Sequence, residues 1–181
     1  MNFNCDTKRL NLRVLNGTEA KNVLRFYVDN RESFDPYEPE RSENFFTEEF
    51  HRYILNYEYN QMCKGHMVRY YAYLKDQPTR LIGTISIRNI MRGSYQKCEL
   101  GYKIATEYQG QGYGKEMVEK AVGISFFELN MHRVEAYCLP ENVRSIRLLK
   151  SIGFEPEGLI RDYVQIQGQF RDHVLFSILH P

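Results

Sequence analysis

The chain has no Cys-x-x-Cys pair, and its four cysteines, Cys5, Cys63, Cys98 and Cys138, lie far apart in 181 residues. That spacing argues against a zinc ribbon, a dithiol redox motif and a secreted disulfide framework, and it points to a reduced, cytoplasmic setting. Nor do the histidines, His51, His66, His132, His173 and His180, show metal-ligand spacing, so no metal is expected. No apolar run is long enough to span a bilayer, and the opening MNFNCDTKRLNLRVL lacks the apolar core of a signal peptide. Neither sign of charge dominates. With 24 Lys and Arg against 23 Asp and Glu, the net charge of +1 gives no global reason to expect nucleic acid or a membrane as a partner. Internal repeats and low-complexity linkers are also missing.

What is present supports a folded unit. Hydrophobic residues make up 43%, enough for a substantial core, and one domain over residues 1–181 is expected. In RLNLRVL, Leu10, Leu12 and Val14 alternate with polar residues, the pattern of a half-buried strand. Asn16 and Glu19 are spaced for a capping box before a first helix, which the two prolines of RESFDPYEPE end. A second helix is expected from about Thr47 to Tyr59. Strands follow near His66–Leu74, Leu81–Asn89 and Lys97–Ala105, separated by DQPT and RGSYQ. A helix over about Gly112–Leu129 puts Val118, Ala121, Val122, Ser125 and Leu129 on one face and Lys115, Glu116, Glu119 and Lys120 outside. After the strand HRVEAYCL, Asn142 reads as the N-cap of a helix that Gly153 closes. LIRDYVQIQGQFRDHVLFSIL reads as two strands about a turn at Gln167–Gly168. This order predicts an α/β architecture, a mixed sheet with helices packed on it rather than a doubly wound repeat.

The stretch EYQGQGYGKEM places three glycines, Gly110, Gly112 and Gly114, between a strand and a helix. A turn needs fewer, so a ligand lying against bare backbone is the expected reason. Helix N-termini leave N–H groups unpaired and carry positive partial charge, which suits phosphate. Two nucleotide motifs fail here. The P-loop would need glycine at Gln109 and Ser or Thr at Glu116, and the dinucleotide fingerprint would need glycine at Lys115.

The pattern that fits is Q-x-x-G-x-G, carried by Gln109, Gly112 and Gly114. It resembles the acetyl-CoA pyrophosphate loop of the GNAT superfamily of N-acetyltransferases. CELGYKIATEYQGQGYGKEMVEKAV looks like that family's strand, loop and helix, and PENVRSIRLLKSIGFEPEG like its second signature. IRDYVQIQGQFRDHVLFSIL looks like the closing hairpin of the branch that acetylates alanine or serine N-termini of ribosomal proteins. The likeness runs from about Leu81 onward, with TKRLNLRVL at the start, and is weakest over residues 30–65. It implies a mixed, mostly antiparallel, splayed sheet of about seven strands flanked by about four helices.

The same resemblance implies direct attack of a neutral amine on the thioester of acetyl-CoA, without metal. The partners would be acetyl-CoA and an amine acceptor, and exposed strands leave a homodimer open. Ile104, Ala105 and Thr106 would bond the pantetheine arm, and Gln109, Gly110, Gln111, Gly112, Tyr113, Gly114 and Lys115 would wrap the pyrophosphate. Lys115 adds charge if it turns inward; otherwise it is a solvated helix residue. Asn142 reaches the pantetheine or serves only as a cap. Glu99 is the general-base candidate, or a solvent-facing residue between Cys98 and Leu100. Where many relatives carry a tyrosine acid, four residues before Gly-Phe, this chain has Leu149. Ser145 matches the serine that the N-terminal branch places near the start of that helix to meet the thiolate, or is simply part of the first helical turn. Acceptor choice would lie in residues 30–65 and the closing hairpin, where Glu32, Asp35, Glu38 and Glu40 either attract a polycation or form a solvated loop. Acetylation of a polyamine or another small amine such as an antibiotic, and a non-catalytic CoA-binding module, are the competing readings.

Overall fold

Leu10 and Leu12 are fully buried and their neighbours only partly so, and this alternation builds a short strand against a longer sheet. The computed structural model describes residues 2–181. Its strands are β1 (Asn4–Asp6), β2 (Leu10–Arg13), β3 (Val68–Leu74), β4 (Leu81–Met91), β5 (Lys97–Ile104), β6 (Arg133–Cys138), β7 (Glu155–Ile166) and β8 (Gln169–Leu179). They form one eight-stranded sheet in the order β1-β2-β3-β4-β5-β6-β8-β7. Every neighbouring pair is antiparallel except β5 and β6. β1 is the strand beyond the expected seven. Its three residues, Asn-Cys-Asp, are too few and too polar to show a period.

The α-helices are α1 (Ala20–Asp29), α2 (Arg31–Phe34), α3 (Glu48–Cys63), α4 (Tyr113–Gly123) and α5 (Val143–Ile152). α2 is a single turn within the proline-bearing stretch. The expected capping box does not form. Asn16 Oδ1 instead takes the Thr18 N–H at 3.0 Å and starts one 3-10 turn, Gly17–Glu19, ahead of α1. Thr47 caps α3, accepting the Phe50 N–H at 3.2 Å. At α5 both expected caps are in place: Asn142 Oδ1 accepts the Ser145 N–H at 3.1 Å, and Gly153 closes the helix at φ +100°. The helix expected to run to Leu129 keeps α-geometry only to Gly123, then widens into a π-turn over Ile124–Glu128.

Helices cover both faces of the sheet. On one face α4 and α5 bury Met117, Val118, Ala121 and Leu149 against Ile82, Cys98, Leu100 and Val134. On the other, α1 and α3 bury Val23, Phe26, Tyr27 and Leu55 against Tyr71 and Tyr73. Among the described residues no helix is long and apolar enough to cross a membrane.

Candidate active site

The parallel pairing of β5 and β6 stops at Leu100 opposite Ala136, yet β5 continues to Ile104 and β6 to Cys138. The sheet splits there. On its other side β5 stays paired with β4 through Ile104 opposite Gly83, and the Ala105 N–H reaches the Ile82 carbonyl at 2.8 Å. Antiparallel alternation then aims the backbone groups of Gly101 and Lys103 at β4, and those of Tyr102 and Ile104 into the split. Of the three expected pantetheine positions, Ile104 therefore presents backbone to the opening. The Ile104 carbonyl takes Gln109 Nε2 at 3.0 Å, and the Thr106 N–H is held by Asn30 Oδ1 at 2.8 Å. Tyr102, which the sequence signatures did not single out, joins Ile104 on the open edge.

Just beyond, Gly110 at φ +75° and Gly112 at φ +85° turn the chain into α4. Only glycine enters this left-handed region without strain. None of the hydrogen bonds among the described residues uses the N–H of Gly110, Gln111, Gly112, Tyr113, Gly114 or Lys115. Six consecutive free donors at the positive end of a helix make a cradle for an anion. Gly114 has a different reason to be glycine. A Cβ there would come within 2.9 Å of Leu148 Cδ1, so it is the point where α4 and α5 meet. Lys115 is half exposed and lies 3.7 Å from Glu119, on the solvent side of α4.

Across the split from this loop, the first turn of α5 gathers polar groups. Tyr102 Oη and Ser145 Oγ are 2.7 Å apart, and Cys138 Sγ lies 3.7 Å from the Asn142 carbonyl. Burial drives the Tyr102 phenol pKa up, only partly offset by the Ser145 hydrogen bond, so the phenol stays protonated at neutral pH. Burial raises the Cys138 thiol as well, against a lowering contact from Ser145. The Asn142 cap occupies Oδ1 and leaves Nδ2 free to donate.

Glu99 sits on the opposite face of β5 from Tyr102, just before the split, so the structure sets Glu99 and Ser145 on opposite faces of the sheet. Its side chain is 13% exposed and lies 3.6 Å from Arg88, opposite it on β4. No hydrogen bond among the described residues ends on its carboxylate. The neighbouring Glu135 differs. Burial would raise its pKa, but Arg133, Lys97 and Tyr137 donate to it and hold it below the usual carboxylate range. Of the two carboxylates, Glu99 is the one with lone pairs to spare.

A family model described as an acetyltransferase (GNAT) domain matches residues 9–155. The chain belongs to the GNAT acetyltransferase family. A GNAT relative, the ribosomal protein uS5-alanine N-acetyltransferase of Escherichia coli (strain K12), is 33% identical over 180 residues, 97% of this chain and 90% of its own. Among solved GNAT structures, the ribosomal-protein-S5-alanine acetyltransferase of Vibrio fischeri superposes with a TM-score of 0.92 at 28% identity, over 98% of this chain and 97% of its own. RimJ of Mycobacterium smegmatis, solved in complex with CoA disulfide, gives 0.88 at 25% identity, over 94% and 81%. Leu149, where many GNAT enzymes have a tyrosine acid, is 1% exposed and part of the core. A phenol does reach the first turn of α5, from Tyr102 on β5.

Residues 30–65 and the closing hairpin, unrelated in sequence, are joined. Gln167 Nε2 in the hairpin turn donates to the carbonyls of Asp35 at 3.0 Å and Glu38 at 3.2 Å. A hollow of about 380 Å³ lies between this turn and Pro39, Glu40, Arg41 and Ser42. Another of about 380 Å³ opens between Tyr37 and the start of α5, at Asn142, Arg144 and Arg147.

Proposed function

We propose that this acetyltransferase moves the acetyl group of acetyl-CoA onto the N-terminal α-amine of a protein, with ribosomal proteins as the leading acceptor class. The observation that carries the cofactor side is the run of six free N–H groups from Gly110 to Lys115 beside an open strand edge. Those donors fit a pyrophosphate, and the Tyr102 and Ile104 backbone fits the amides of a pantetheine arm. Glu99 takes the proton of the attacking amine, directly or through water, from one face of β5. Ser145, with Tyr102 behind it, donates a hydrogen bond toward the departing sulfur from the other. A thiol with a pKa near 8.5, like that of free cysteine, leaves tolerably unaided, so this hydroxyl contributes modestly. Ser145→Ala and Tyr102→Phe are each expected to lower kcat about fivefold, the worth of about 1 kcal/mol of hydrogen bond, with the KM for acetyl-CoA unchanged. Steady-state kinetics on both variants checks this, and unaltered kcat in both removes the hydroxyl pair from the mechanism.

Two observations favour the α-amine. One is the near full-length likeness to an alanine N-acetyltransferase. The other is that the acidic stretch offered to a polycation is partly neutralised: Glu38 pairs with Lys103 and with Arg41 at 2.7 Å, and Asp35 with Arg31 at 3.1 Å. Proton energetics point the same way. At pH 7 about a tenth of an α-amine is neutral, whereas an amine of pKa about 10.4 costs about 3 kcal/mol more to deprotonate. The expected result is a higher kcat/KM for a peptide with a free N-terminus than for spermidine or the same peptide N-blocked and carrying lysine. A preference for either of the latter overturns the acceptor assignment.

A further inference from the structure

The turn between β1 and β2 reaches α4, 107 residues on, and fastens to one carboxylate. Glu116 Oε1 takes the Thr7 hydroxyl at 2.5 Å and the Arg9 backbone N–H at 2.6 Å, while Arg9 Nε donates to Oε2 at 2.8 Å. Burial would raise the Glu116 pKa, but these donors outweigh it and keep the group anionic. The sequence pattern had turned Glu116 outward. In the fold it is an anchor in the first turn of α4.

With Nε fastened, the Arg9 guanidinium lies 4.2 Å over the Tyr113 ring and gives Nη1 to the Gln111 carbonyl at 2.9 Å. Every peptide bond here is trans, so C=O and N–H point opposite ways. A Gln111 carbonyl aimed at Arg9 therefore sends the Gly112 N–H away from Arg9. The position a Gly112 Cβ would take also lies on the Arg9 side, 3.3 Å from Nη2. Arg9 thus stands behind the loop, on the side opposite that donor.

We propose that Arg9 is a positioning residue for the cofactor: it locks the Gln111–Gly112 peptide so that the Gly112 N–H faces the pyrophosphate, without touching the cofactor itself. This rests on the reading of Gly110–Lys115 as the pyrophosphate loop. Arginine is required because one planar fork must meet a carboxylate, a carbonyl and a ring at once, which a lysine ammonium cannot do.

The test compares the wild-type protein with Arg9→Lys and Arg9→Gln. Calorimetry gives the Kd for acetyl-CoA, and turnover is measured with acetyl-CoA and with acetyl-pantetheine, which lacks the pyrophosphate. Both variants are expected to bind acetyl-CoA about tenfold more weakly and to raise its KM equally, while kcat at saturation is kept. Their use of acetyl-pantetheine should match wild type, and the Arg9→Lys loss should be the same at low and high salt. Retained kcat reports an intact fold, and Arg9→Lys carries the test alone if Arg9→Gln does not fold. Wild-type affinity in both variants overturns the proposal but leaves the loop assignment standing. Full rescue by lysine shows that charge, not orientation, is what matters, and overturns it too. Failure of the wild-type protein to bind acetyl-CoA overturns the loop reading and this one with it.

Discussion

Gly112→Val will leave the protein folded and remove most of its affinity for acetyl-CoA. Gly112 sits at φ +85°, a region that a β-branched residue enters only as an outlier. Held there, valine would cost about 2–3 kcal/mol. The free protein escapes most of this cost, because Gly110 and Gln111 are exposed and turning the loop breaks the Arg9–Gln111 hydrogen bond without opening the core. The bound state cannot, since the phosphate needs the N–H groups converged. The strain therefore appears in binding, as a Kd raised roughly 30- to 150-fold, while the unfolding midpoint shifts by a few degrees at most. Calorimetry and thermal melts on one preparation separate the two. An unchanged Kd in a folded variant would take the loop out of the cofactor site.

Glu99→Gln is expected to lower kcat about a hundredfold at pH 7, with the KM for acetyl-CoA within about twofold of wild type. The loss belongs at the low end for general-base catalysis, because about a tenth of an α-amine is already neutral at that pH. Its pH dependence has a definite sign. Between pH 7 and 9 the acceptor passes its own pKa of about 8 and arrives deprotonated, so the gap between wild type and variant should narrow. Glu135 cannot substitute, since Lys97, Arg133 and Tyr137 occupy its lone pairs. A pH-rate series on both proteins decides the matter. A constant ratio across the range would show that Glu99 only binds substrate, and a ratio near one would remove it from the site.

Elements with local causes were readable in advance. The Asn142 and Gly153 caps, the Gln167–Gly168 turn and the alternation in β2 each depend on a few adjacent residues. The mixed sheet followed from the order of elements, and its splay and the GNAT family from ordered signatures; the strand pairing bears out the sheet and the family match the family. What stayed hidden depends on pairs distant in the chain. Arg9 and Glu116 look like ordinary surface charges until the fold brings them together. Tyr102 and Ser145 meet only because α5 crosses the end of β5, which no period in either segment reveals. Occupancy was hidden as well. That the Ala105 and Thr106 N–H groups are spoken for by Ile82 and Asn30 is a matter of partners, not of pattern.

The close approach of α4 to α5 at Gly114 couples the anion cradle at the start of α4 to the helix that carries Ser145. With Leu148 Cδ1 at 2.9 Å and Ile104 Cγ1 at 3.5 Å from where a Cβ would be, the space is already filled. A side chain at 114 would push on the helix that carries Ser145 and on the strand that borders the split. A change there would thus register at Ser145 as well as in the cradle. Positions 114 and 148 draw on a single volume, so across an evolving lineage one can grow only as the other shrinks.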